Sequence, residues 1–216
     1  MKRTSILLII SLMLLCTACA AGRGTTPQGD PNVPGSILFQ DDFSNGASGW
    51  DHVSIEGGAM DYDNGVYRFL IGTPHFNYWS TPGGTYTNTR IEVDVAKLDG
   101  PDSNRAGIVC RLTGEQFYFF VISSDGYYAV GRTNGLESIL LGQDQMKPSA
   151  NINTGMALNH LRADCSGDQL TFYVNGFPLS TIMDATLTSG EIGLLAGTFA
   201  DGGVDVIFDQ FIVMVP

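Results

Sequence analysis

The sequence predicts an all-β fold, a two-sheet antiparallel sandwich, behind an N-terminal export segment. Three observations carry this. Apolar and polar residues alternate over many short stretches, the period of a half-buried strand. Glycine-containing turn signals recur every ~8–12 residues, the rhythm of sandwiches and barrels. No stretch sustains a 3.6-residue period, and residues 148–153 offer one helical turn at most.

The export segment comes first. Lys2 and Arg3 give a positive start and Ile6 to Leu15 an apolar run. That run is shorter than the ~20 residues of a membrane span. Cys16-Thr17-Ala18-Cys19 follows, with small residues before a cysteine, as a lipoprotein signal peptidase requires. The segment resembles a bacterial lipobox, Leu-x-x-Cys, with Cys16 in the leucine position and Leu15 one place earlier. Cys16 itself is the competing choice, but Leu15 directly before it is not small. Cys19 is therefore the expected lipidation site, carrying acyl chains such as palmitate. An ordinary cleavage after Ala18 or Ala20 would instead release the domain. Residues 1–18 read as the signal peptide and residues 19–35 as a lipidated terminus with a Pro/Gly-rich tether. Residues 36–216 read as one domain, placed on the extracytoplasmic face of a cell membrane.

The full chain has 11 basic and 22 acidic residues. Cleavage removes Lys2 and Arg3, leaving 9 basic against 22 acidic residues, a net charge of −13. Such acidity argues against nucleic acid, which demands clustered Lys and Arg, and against electrostatic docking on anionic lipid. Membrane attachment is expected through the N-terminal lipid alone.

Two cysteines remain in the domain. Cys110 shares a strand face with Ile108 and Leu112, and Cys165 with Leu161 and Ala163. Both thiols are expected to point inward and, in an exported chain, to form a disulfide; two buried free thiols are the alternative.

Strands are expected at residues 37–43, 65–71, 89–98, 106–112, 116–122, 127–132, 136–141, 159–165, 169–174, 191–198 and 204–215. Between them lie turn signals such as Asp63-Asn64-Gly65 and Val174-Asn175-Gly176, suited to tight hairpins. This many strands suits a two-sheet jelly roll better than an immunoglobulin-type domain.

Several stretches then resemble a known group, the concanavalin A-like, laminin-G-like sandwiches of bacterial surface proteins. They are Asp41-Asp42-Phe43-Ser44 with Gly49-Trp50, Arg90-Ile91-Glu92-Val93-Asp94-Val95, Phe117-Tyr118-Phe119 and Asp125-Gly126-Tyr127-Tyr128. Asn159-His160-Leu161-Arg162-Ala163, Leu170-Thr171-Phe172-Tyr173-Val174-Asn175-Gly176, Gly190-Glu191-Ile192-Gly193-Leu194 and Phe208-Asp209-Gln210-Phe211 complete the series. The resemblance implies the concanavalin A-like jelly roll and does not choose an activity, because carbohydrate-binding modules, protein-binding modules and glycosidases share it.

Candidate chemistry follows. Glu92 and Asp94 share the outward face of one strand. Jelly-roll endoglucanases carry Glu-x-Asp-x-x-Glu, whose first glutamate is the nucleophile and last the acid/base; here the last position is Lys97. A retaining hydrolase needs both carboxylates, so no catalytic residue is assigned. Among aromatics, Trp79 sits in a loop-rich stretch and is the leading ligand candidate, whereas Trp50 beside Asp41-Asp42-Phe43 reads as packing. Tyr127 and Tyr128 point to opposite faces, so one at most meets a ligand. Trp79, Glu92, Asp94, Arg111 and Tyr128 are the expected contacts. The resemblance also implies a structural calcium (Ca2+) held by Asp209 near the last strand, with Asp42 close by.

The expected function is a monomeric, lipid-anchored binding module whose partner is a glycan or another cell-envelope component. An enzymatic reading would make it a glycosidase; a protein-interaction or structural envelope role is the other alternative.

Overall fold

The computed structural model describes residues 29–135 and 137–216. The expected signal peptide, the expected lipidation site Cys19 and the first part of the expected tether lie outside the described residues. No described helix is long and apolar enough to cross a membrane.

The strands are β1 (Ile37–Asp41), β2 (Val53–Ile55), β3 (Gly58–Asp63), β4 (Val66–Ile71), β5 (Asn77–Ser80), β6 (Thr89–Asp99), β7 (Asn104–Thr113) and β8 (Gln116–Ile122). They continue as β9 (Tyr127–Asn134), β10 (Ser138–Leu140), β11 (Lys147–Pro148), β12 (Asn159–Ser166), β13 (Gln169–Val174), β14 (Phe177–Met183), β15 (Glu191–Thr198) and β16 (Val204–Met214). One sheet runs β14-β13-β12-β6-β16-β4-β3-β2, with β1 added on β16; the other runs β10-β9-β8-β7-β15-β5, with β11 added on β9. Among the described residues all strands pair antiparallel. The fold is thus a two-sheet sandwich, as the alternation predicts. Residues 148–153 form a strand end and turns, not a helical turn.

The local chemistry explains the hairpins. Asn64-Gly65 and Asn175-Gly176 have φ of 52° and 86°, and 52° and 82°. A two-residue hairpin demands positive φ at both places, which Asn tolerates and Gly adopts freely.

Between the sheets lies one continuous core, with Ile91, Val93, Leu161, Phe172, Ile108, Phe120, Val206 and Phe208 fully enclosed. Cys110 on β7 and Cys165 on β12 bond across it, S–S 2.07 Å, clamping one sheet to the other. At one end, Phe43, Trp50, Tyr67 and Phe211 pack ring against ring near the buried Asp41, with Phe211 edge-on to Trp50. Its carboxylate accepts hydrogen bonds from Trp50 Nε1 (2.9 Å), Phe43 N (2.8 Å) and Ser48 Oγ. The opening Asp-Asp-Phe and Gly-Trp motifs therefore build the core.

Candidate functional site

The two sheets bury different things on their outer faces. On the nine-stranded sheet, β6 alternates without a break from Thr89 to Ala96, apolar or small residues inward and Arg90, Glu92 and Asp94 outward. His160 Nδ1 lies 2.7 Å from Asp94, and Arg90 Nε donates to Glu92 at 2.6 Å. Arg162 grips Asp164 with two nitrogens and lies over the Tyr173 ring. The strand neighbours of Glu92 are Arg162 and Ile212. Among the described residues no acid stands directly opposite it across the sheet, where the glycosidase reading places one.

The seven-stranded sheet carries a second apolar cluster outside the core: Val109, Phe117, Phe119, Val121, Ala129 and Leu195. In register, Trp79, Leu195, Gly107, Val121 and Ala129 form one row across the strands. Gly193, Val109, Phe119, Gly131 and Leu140 form the next. Gly107 and Gly193 let the neighbouring main chain approach closely, and Gly131 leaves room for a ring. A Cβ on Gly131 would stand 2.3 Å from Phe119 Cζ. Trp79 leans from the sheet edge to within 5.4 Å of Phe117, centroid to centroid. Trp79, Phe117, Phe119, Val121, Ala129 and Leu195 wall a groove of about 290 Å³, near the lower end of the volumes typical of small-ligand sites.

The groove has polar ends. At one, Asn77 and Arg105 flank Gly197 in register. Arg105 lies 4.1 Å from the Phe199 ring centroid, and one nitrogen donates to Thr198 O at 3.2 Å. Burial lowers the guanidinium's proton affinity from its ordinary value. At the other end stand Glu115 and Glu137.

Each expected contact can now be placed. Trp79 lines the groove, on strand β5 and not in a loop. Glu92 and Asp94 lie on the other sheet. Arg111 and Tyr128 are corrections. Arg111 is 2% exposed and donates to the carbonyls of Thr87 and Leu187. The β7 ladder slips between Cys110 and Thr113, and Arg111 has φ +56°. This bulge reverses the inward–outward phase: Arg111 turns in and Leu112 joins the outer cluster. Tyr128 is 8% exposed, with its hydroxyl donating to Leu179 O at 2.9 Å. Its neighbour Tyr127, 40% exposed, is the outward member of the pair.

Asp42 follows β1 and Asp209 lies on its neighbour β16, and a calcium there would draw most of its oxygens from main-chain carbonyls and water. Asp42 accepts from Ser44 N and Oγ, and Asp209 from Gln210 N within a β16 bulge. Among the described residues no three His, Cys, Asp or Glu gather around a common point, and calcium takes six to eight oxygens.

No protein-family model matches the chain, and neither does any curated protein. Solved structures do. The carbohydrate-binding module CBM66 from Bacillus subtilis aligns at TM-score 0.63 and 12% identity, covering 77% of this chain and 95% of that one. A Bacillus subtilis protein of unknown function with a galectin-like fold aligns at TM-score 0.62 and 12% identity, covering 84% and 97%. The fold is a galectin-like, concanavalin A-like jelly roll. The GH43 protein BlXynB from Bacillus licheniformis aligns at TM-score 0.61 and 15% identity over 82% of this chain, but only 39% of its own length. At such identities the likeness concerns the jelly roll alone. Of the expected contacts only Trp79 lines the groove, and Phe117, Phe119, Arg105 and Asn77 are among the groove residues that strand patterning missed. The signal was there in β8, Gln116–Ile122, which is apolar on both faces.

Proposed function

We propose that the protein is a carbohydrate-binding module whose ligand lies in the groove of the seven-stranded sheet. A lipid on Cys19 would hold it at the extracytoplasmic membrane face, over the tether. The observation that carries the reading is the apolar, ring-walled groove on a sheet face that would otherwise be polar. Sugar rings present flat C–H faces that pack on aromatic side chains, while their hydroxyls seek polar groups at the margins. Trp79, partly buried and backed by the Phe117 ring, offers the first, and Asn77, Arg105, Glu115 and Glu137 the second. The structural likeness to CBM66 and to glycoside hydrolase modules supports it. An acidic chain is no obstacle, since neutral sugars are not repelled.

A glycan array followed by titration calorimetry tests the groove. At least one glycan should bind, and Trp79→Ala should weaken it at least tenfold without unfolding the protein. Undiminished binding in that variant would move the site elsewhere. Mass spectrometry of the native N-terminus should find acylated Cys19, and a terminus at Met1 would remove the anchor.

A further inference from the structure

Arg105 stands apart from the other cations. Among the described residues, Arg68, Arg90, Lys97, Arg132 and Arg162 each face a carboxylate. Arg111 is enclosed between two main-chain carbonyls, and Lys147 reaches Gly142 O. Arg105 has no acid in ion-pair reach among the described residues, although acids outnumber bases twofold in the chain. Its Nε is buried without a hydrogen-bond partner, as are Arg111 Nη2 and Arg132 Nε, but among these only Arg105 shares its strand row with a second orphan, the Oδ1 of Asn77. A half-buried guanidinium without an anion is costly, and each unpaired buried donor or acceptor adds to that cost.

The two orphans belong to one place. Both residues pair with Gly197, and a Cβ there would stand 2.0 Å from Asn77 Oδ1 and 3.0 Å from Arg105 Cγ. The missing side chain at position 197 lets them converge. The guanidinium carbon lies over the Phe199 ring, and a guanidinium can grip a carboxylate with two parallel N–H groups.

We propose that Arg105 and Asn77 form a carboxylate subsite, so that the preferred glycan carries an isolated acidic sugar. This rests on the groove being the glycan site. The carboxylate would accept from Arg105, and a neighbouring sugar hydroxyl would donate to Asn77 Oδ1. The surroundings restrict the ligand to one such group. Glu115 and Glu137 occupy the far end of the groove, and Asp125, bonded to Ser123, borders the adjoining basin beyond Phe199. A sugar chain charged at every residue would meet these carboxylates and be repelled.

The test is calorimetry on the intact protein with paired probes: a xylo-oligosaccharide bearing one glucuronate against its neutral parent, and sialyllactose against lactose. Oligogalacturonate is the polyanion. One acidic probe should bind at least tenfold tighter than its neutral parent, and which one does so identifies the source of the carboxylate. Oligogalacturonate should bind more weakly than that probe. Arg105→Gln should bring acid and neutral partners within twofold of each other, while Arg105→Lys, which keeps charge but loses the fork, should retain part of the preference. Thermal melts show that each variant is folded. Equal affinity for acidic and neutral partners, a preference that survives Arg105→Gln, or tighter binding of oligogalacturonate would overturn the subsite and leave the groove standing. Absence of binding to every glycan, neutral ones included, would remove the groove reading together with the subsite.

Discussion

The outer faces of β6 and β8 belong to the same sandwich and were built on opposite rules. On β6 the outward residues include Arg90, Glu92 and Asp94, partnered by each other and by His160. On β8 they are Phe117, Phe119 and Val121, all buried. An antiparallel sheet with one wet face keeps strict alternation, as β6 does. A strand apolar on both faces must have both faces covered. The core covers one side of β8, and Trp79, Leu112, Leu140 and Met146 partly cover the other. The incomplete cover is the groove. Charged partners therefore mark the face that is finished, and unmatched apolar surface marks the face that has work to do.

The disulfide is the largest lever on both faces together, since it joins β7 to β12. Closing a loop between positions 55 apart is worth about 2–4 kcal/mol. Cys110→Ala with Cys165→Ala should lower unfolding stability by that amount in urea titrations while groove binding persists. Lost binding in a protein that is still folded would mean that the faces are coupled through the clamp, contrary to their separate construction.

A pair of matched substitutions sharpens the contrast. Val121→Lys puts an ammonium into the second cluster and should cost about 2 kcal/mol, with the side chain escaping partly through the groove. Ala96→Lys, outward on β6, should change stability by less than about 0.5 kcal/mol. Equal costs in urea unfolding would show that the two faces are solvated alike and that the cluster is not a distinct apolar layer.

The same contrast explains what the sequence made legible. β6 was readable because strict alternation has only one phase, and Cys110 and Cys165 followed from such phases. β5 reads as a loop because its four residues lie between Gly72, Pro74, Pro82 and Gly83. Only the tertiary partner β15 makes it a strand. β14 was hidden by Pro178 and a run of small polar residues, and its pairing slips near that proline. Arg111 was misplaced by a bulge that no local residue announces. Of Tyr127 and Tyr128, alternation showed that they diverge but not which one turns outward. Arg105 is an unremarkable arginine in sequence. Its isolation from every acid among the described residues exists only after folding.

The smallest expected effect is Glu92→Gln, and it discriminates most directly between the faces. The change removes a charge that faces Arg90 at 2.6 Å and His160 Nε2 at 3.5 Å. These are partly exposed pairs, so solvent screening limits their worth to about 0.5 kcal/mol or less. The amide keeps the size and one acceptor oxygen, and the strand's inward residues are untouched. Stability should therefore barely move, and glycan affinity should stay within twofold of the parent. A tenfold loss of affinity with an intact fold would transfer the ligand from the ring-walled groove to the ladder of charges on β6. It would also restore the two carboxylates to the place that their spacing first suggested.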